Sequence, residues 1–461
     1  MDAIYEAIPL PEFNNNPLVE ALSCLCKPEF QAKVLAAKTE WCPAEFWQLP
    51  KILRLSAIAR LNSVHIPAPQ LEAIYEKVTT LLLSSYARRQ PMATNALRVR
   101  HTIATALHEK RPVQYSLMTT APTCVICGPS GIGKTVATRI MLQAIPQVIN
   151  HTEYQGVAYQ QQQLVWISID LPATPSIKAL ALNFFLAVDQ ALGTDEYYKK
   201  WSSRNRDSVD QHILGMQLAA QTHELGLIHI DEMQFMLNYA KSKDAPSMVV
   251  LEAIFNKLGI PMLLSTTTAG LKLFAPEYAP NGMADVTIAR RMLNDREIQL
   301  KPLDKNSPQF QQFVKALFPR EIMLNCSELS PEFIDQFYEL SCGIPAFMIR
   351  LAKQFHDLFV QRVHKNGNLL DTTNDVKMLR SVYHNQFKLI APALAALRRG
   401  QAEQYEKLLP AQAKDPAEKV TRQAKSAKKK ELVPQTNPMF APLESKMTDA
   451  NKTAELKVGS I

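Results

Sequence analysis

An apolar run, Thr123-Cys124-Val125-Ile126-Cys127, leads directly into Gly128-Pro129-Ser130-Gly131-Ile132-Gly133-Lys134-Thr135, and a helical pattern from Val136 to Ala144 follows. Strand, glycine loop and helix N-terminus in that order form a phosphate cradle. Glycines let the backbone amides turn inward toward oxygens, and the helix dipole favours the same negative charge. Lys134 is expected to reach the β- and γ-phosphates of ATP. The Thr135 hydroxyl is expected to ligate Mg²⁺. The whole stretch from Gly128 to Val136 is the predicted nucleotide-binding segment.

The 461 residues are enough for two or three domains. A formal charge of +8 and a sequence pI near 9.0 favour an acidic partner, nucleic acid being the commonest. No apolar run approaches the ~18 residues that span a bilayer, and Asp2 and Glu6 do not suit a signal peptide. A cytosolic location is therefore expected, with the seven cysteines as thiols. Cys124-x-x-Cys127 has no second C-x-x-C or histidine pair at zinc-finger spacing, so no metal beyond the nucleotide's Mg²⁺ is expected.

Four zones follow along the chain. Residues 1–100 read as an N-terminal helical, partner-binding region, with Trp41, Phe46 and Trp47 suited either to a protein interface or to its own core. Residues 101–300 alternate apolar strands (122–127, 164–170, 227–230, 261–266) with helices (177–192, 207–224, 248–258). That alternation predicts an α/β core, a parallel sheet with helices on both faces. Residues 301–399 read as a helical lid. Residues 400–461, with Lys428-Lys429-Lys430, read as a basic, disordered tail.

Leu227-Ile228-His229-Ile230-Asp231-Glu232 is an apolar strand ending in paired acids. Asp231 would hold Mg²⁺ and Glu232 would orient or deprotonate the attacking water. The next strand ends in Ser265, Thr266, Thr267 and Thr268. Thr267 is the candidate for positioning that water, the alternative being a β-turn rich in hydroxyls. Arg290 or Arg291 could reach a neighbouring subunit's γ-phosphate, or both could be a solvated surface pair.

Together these motifs resemble the AAA+ ATPase superfamily. Asn16-Pro17-Leu18-Val19-Glu20-Ala21-Leu22 and Lys178-Ala179-Leu180-Ala181-Leu182-Asn183-Phe184-Phe185 resemble the TnsC-type transposition regulators more narrowly. Gly226 to Gln234 and Ala289-Arg290-Arg291 extend that likeness. The resemblance implies an ATP-dependent ring or filament on duplex DNA, in the bacterial cytoplasm and nucleoid-associated when bound. It also implies transposase subunits and a target-selection protein or RNA-guided complex as partners. Thr174, Lys178, Thr194, Lys199, Lys200, Arg204 and Arg206 occupy the zones where relatives track the DNA backbone. Ala346 stands where many AAA+ relatives carry the sensor-2 arginine, and Arg350, one helical turn later, is the substitute. Two other readings fit the phosphate loop: a signalling ATPase that oligomerises on a protein ligand without DNA, and a P-loop kinase.

Overall fold

The computed structural model of the protein describes residues 1–111, 122–171, 176–204, 206–236, 248–274, 297–323, 328–366 and 375–409. Its centre is a five-stranded sheet in the order β4-β5-β6-β1-β7. Here β1 is Thr123–Gly128, β4 Trp166–Asp170, β5 Leu227–Asp231, β6 Met262–Thr267 and β7 Glu297–Gln299. Every pairing in it is parallel. The register aligns Gly128 with Thr267 and Asp170 with Asp231, so these residues share the carboxyl edge, where open α/β sheets bind ligands.

The three inner strands, β5, β6 and β1, are buried on both faces because they are largely apolar, and successive residues serve opposite sides. Val125, Ile228, Ile230, Met262 and Leu264 face a core shared with Thr94–His108, Ile177–Leu192, Val209–Thr222 and Met248–Leu258. Cys124, Ile126, Leu227 and Leu263 face the opposite core, filled by Leu71–Ala87 and Lys134–Ala144. This is the α/β fold expected, with one unexpected edge strand, β7, and an unexpected hairpin, β2 (Val148–Tyr154) with β3 (Val157–Leu164).

The first hundred residues do not stand apart. Leu18, Val19, Leu22 and Val34 enter the core beneath the sheet, while Trp41, Phe46, Ile58 and Leu61 enter that of the C-terminal helices. Trp41 Nε1 donates to Ala316 O at 2.7 Å. Trp41 and Phe46, read from sequence as possible interface residues, are fully buried inside the chain. Trp47 is half-buried, edge-on to Phe359 and beneath the Arg54 guanidinium.

The zone read from sequence as a lid is helical: Pro308–Leu317, Pro331–Ser341, Pro345–Asn366, Val376–Gln386 and Ala391–Arg398. Its first two helices carry proline at the start, where the missing N–H costs nothing, and Ser307 and Ser330 cap them. The first residues of the zone read as a tail are described. Ala402–Leu408 forms a further helix, drawn in by fully buried Tyr405 and by Leu409. Residues 410–461 lie outside the described residues. No described helix is long and apolar enough to cross a membrane.

Candidate active site

The phosphate loop leaves β1 at Gly128, where an added Cβ would sit 2.6 Å from Leu300 O, so only glycine allows the strand so close. Gly133 starts the Lys134–Ala144 helix in a left-handed conformation, φ +102°, which strains any side chain. The Lys134 ammonium folds back over the loop, donating to Gly128 O at 2.9 Å and Pro129 O at 3.2 Å. Burial pushes its pKa down, and the carboxylates of Glu406, Glu232 and Asp231, in that order, pull it up. Val136, in the first turn of that helix, has an exposed side chain.

Thr135 Oγ1 donates to Asp231 Oδ2 at 3.0 Å. The two residues predicted to hold Mg²⁺, 96 positions apart, are thus brought into contact at the carboxyl edge. Asp231 Oδ1 accepts from the backbone N–H of Glu232 at 2.8 Å. Glu232 itself adopts a left-handed backbone, φ +57°, that turns the chain away from the strand. Its carboxylate accepts from Gln234 Nε2, and Gln234 Oε1 accepts from Thr267 N at 3.2 Å. Gln234 thereby ties the second acid to the end of β6, a link the sequence reading missed.

Thr267 lies where expected, at the end of β6, but its hydroxyl accepts from Gly270 N at 3.2 Å and fixes the turn that follows. The β-turn alternative therefore describes what this oxygen does in the structure. Deeper in the sheet, His229 spans β4 to β6, with Ser168 Oγ 2.8 Å from Nδ1 and Ser265 Oγ 2.9 Å from Nε2. Burial pushes its pKa down to about 4 against the pull of Asp231, so the ring is neutral near pH 7.

The C-terminal helices meet the loop at the start of Pro345–Asn366, where Ala346 N donates to Gly131 O at 3.2 Å. Arg350, the sensor-2 candidate, points elsewhere. It donates to Gln386 O at 3.3 Å and lies over the Phe387 ring, 5.0 Å from its centroid. A second unforeseen contact comes from the helix Ala402–Leu408. Glu406 accepts from Ser130 N and Ser130 Oγ, both at 2.7 Å, and Tyr405 OH donates to Ser130 O at 2.6 Å. No motif marks these two residues in the sequence.

Arg290, Arg291 and Thr174 lie outside the described residues. Lys178 is on the helix Ile177–Leu192, and Lys199 and Lys200 are on Glu196–Ser202. The Thr194 hydroxyl donates to buried Asp189 at 2.7 Å, closing the end of its helix. Lys200, Arg204 and Arg206 line a cavity of about 800 Å³ with His108, Lys110 and Asp207. Asp207 pairs with Lys110 at 3.1 Å and lies 3.9 Å from Arg204, which also stacks on Trp201. Three of the seven candidate DNA contacts are thus gathered at one basic concavity.

The residues fit a Mg²⁺–nucleotide. Gly133 leaves open space where a Cβ would stand, Lys134 supplies a cation, and Thr135 with Asp231 supplies the hard oxygen donors Mg²⁺ takes beside phosphate.

Residues 117–274 match the family model described as AAA domain. No curated protein matches the chain. Among solved structures it is similar to a Walker-type ATPase of Pyrococcus abyssi, at 17% identity and TM-score 0.39, covering 66% of this chain and 76% of that one. It is also similar to Drosophila ORC bound to DNA, at 10% identity, TM-score 0.33, covering 75% and 81%. The Aeropyrum pernix ORC2 protein, in ADPNP–ADP complexes, gives 10% identity and TM-score 0.34, covering 74% and 86%. With the loop, the Thr135–Asp231 contact and the five-stranded parallel sheet in place, residues 117–274 of this chain form an AAA-type P-loop ATPase domain.

Proposed function

We propose that the chain is an ATPase in which Mg²⁺-dependent ATP hydrolysis switches self-assembly on duplex DNA. It would connect a target-selection protein or RNA-guided complex to transposase subunits. The observation that carries the enzymatic part is the Thr135–Asp231 hydrogen bond beside Lys134, with Glu232 held next to it. Lys134 and the loop amides would hold the phosphates, and Thr135 and Asp231 the metal. The bound Mg²⁺–ATP supplies an electrophilic phosphoryl group stabilised by charge. Glu232 then orients the attacking water and takes its proton, and Gln234 keeps that carboxylate aimed. Ala346, docked on Gly131, places the lid against the loop, where it excludes bulk water.

DNA contact is supported by the formal charge of +8 and by Lys200, Arg204 and Arg206 around one cavity. Arg290 or Arg291 would act on the neighbouring subunit's site. The transposition role rests on the likeness of residues 16–22, 178–185 and 226–234 to TnsC-type regulators. The test is phosphate release with and without duplex DNA, at two salt concentrations, with electron microscopy in a non-hydrolysable ATP analogue. DNA-stimulated hydrolysis, ATP-dependent assemblies that follow the duplex, and their loss in Lys134→Ala are expected. Hydrolysis indifferent to DNA, with no salt-sensitive retention, would leave the ATPase but remove the DNA role.

A further inference from the structure

The contact between Ala402–Leu408 and the phosphate loop has a chemistry of its own. Glu406 is 7% exposed, and its two oxygens accept from the Ser130 backbone N–H and the Ser130 hydroxyl. A carboxylate with one oxygen on a loop amide and the other on a loop hydroxyl makes the contacts a phosphate oxygen makes. Tyr405 locks the same residue from its other side through Ser130 O, and its buried ring lies edge-on to Phe347 of the lid at 6.5 Å. Lys272, in the turn after β6, pairs with Glu403 at 2.9 Å. One short helix thus touches the loop, the lid and the turn that follows β6.

Which end of the nucleotide Ser130 faces follows from Lys134. Its ammonium sits on the carbonyls of Gly128 and Pro129, the two residues before Ser130. The lysine of this motif serves the β- and γ-phosphates. The Glu406 carboxylate therefore stands at the terminal-phosphate end of the cradle. A γ-phosphate arriving there brings like charge into a half-buried space, where screening is weak.

We propose that Glu406 determines how the site discriminates triphosphate from diphosphate: it is a built-in anionic competitor for the terminal phosphate, so ATP must displace the helix Ala402–Leu408 and ADP need not. The inference rests on the reading of the loop as a nucleotide site. The helix is then a strap whose position reports the third phosphate, and the energy of its displacement is subtracted from ATP affinity.

The experiment measures equilibrium binding of a fluorescent ADP and of a fluorescent non-hydrolysable ATP analogue to the full chain. Wild type, Glu406→Gln and Tyr405→Phe are compared, with Lys134→Ala as the non-binding control. Amide hydrogen exchange over residues 402–408 is followed in parallel. Glu406→Gln keeps the shape and removes the charge, and should raise ATP-analogue affinity about tenfold while changing ADP affinity less than about twofold. Tyr405→Phe loosens the strap without altering charge and should move the same ratio in the same direction by a smaller factor. In wild type, 402–408 should exchange slowly alone and with ADP and faster with the ATP analogue. An unchanged affinity ratio in Glu406→Gln, or exchange at 402–408 indifferent to the third phosphate, overturns the proposal. If wild type binds neither nucleotide, it is the nucleotide reading itself that fails.

Discussion

Gln234 offers a sharp test of how the second acid is aimed. Its Nε2 donates to the Glu232 carboxylate and its Oε1 accepts from Thr267 N at 3.2 Å. Gln234→Ala removes both bonds while leaving Lys134, Thr135 and Asp231 in place. A hydrogen bond to a charged group contributes about 1.5–3 kcal/mol net. Both side chains are half-buried, so the lower end, about 1.5 kcal/mol, is appropriate after solvent screening. If that bond orients Glu232 in the transition state, its loss lowers kcat roughly tenfold. KM for ATP should stay within about twofold, because nothing in the variant touches the phosphate loop. Steady-state phosphate release over a range of ATP separates the two constants. Gln234→Glu, which sets a second negative charge against Glu232, should be slower still near neutral pH and partly recover as the pH falls. A Gln234→Ala enzyme with wild-type kcat, or with raised KM and unchanged kcat, would show that the bond does not aim the catalytic acid.

Three further outcomes are expected. Thr135→Ala should raise the Mg²⁺ concentration needed for half-maximal ATPase by about tenfold or more, and an unchanged Mg²⁺ profile would put the metal elsewhere. Glu232→Gln should retain ATP-analogue binding while phosphate release falls by about a hundredfold or more, so hydrolysis at the wild-type rate would take the water-orienting role from Glu232. His356, fully buried with Nε2 2.8 Å from Leu317 O, is pushed down to about 4 by burial, below the ordinary histidine value of about 6.5. The unfolded chain takes up that proton first, so its contribution is complete above pH 6.5 and is lost as the pH falls toward 4. The urea midpoint of wild type should drop through that window more steeply than that of His356→Gln, and parallel curves would remove His356 as the source.

What could be read from sequence was what is local. The phosphate loop is a contiguous octapeptide, and Asp231-Glu232 directly follows the apolar run 227–230 of β5. The β2–β3 hairpin escaped because Tyr159 to Gln163 carries little apolar alternation and most of β3 is exposed or half-buried. Its one signal is the two-residue Gln155-Gly156 turn, both with positive φ. β7 is three residues long and owes its strand geometry to the edge of β1. Thr267 shows a different limit: its place was legible, but the choice of Gly270 N as its partner depends on the turn beyond it. Glu406 and Ser130 are 276 positions apart, and nothing in either neighbourhood announces the other.

The first seventy residues serve two hydrophobic cores. Residues up to Val34 are embedded under the sheet, and those from Trp41 to Ile66 are embedded among the C-terminal helices, with Trp41 pinned to Ala316 O. The intervening six residues act as a tether, and Lys38 is stitched across to His65 by two backbone bonds at 2.8 Å. Any rotation of the C-terminal helices against the sheet would carry Trp41 with it and strain residues 35–40, which form a second covalent link beside residues 300–304. Cutting the chain between Val34 and Trp41 would remove that second link without removing a single atom from the nucleotide cradle.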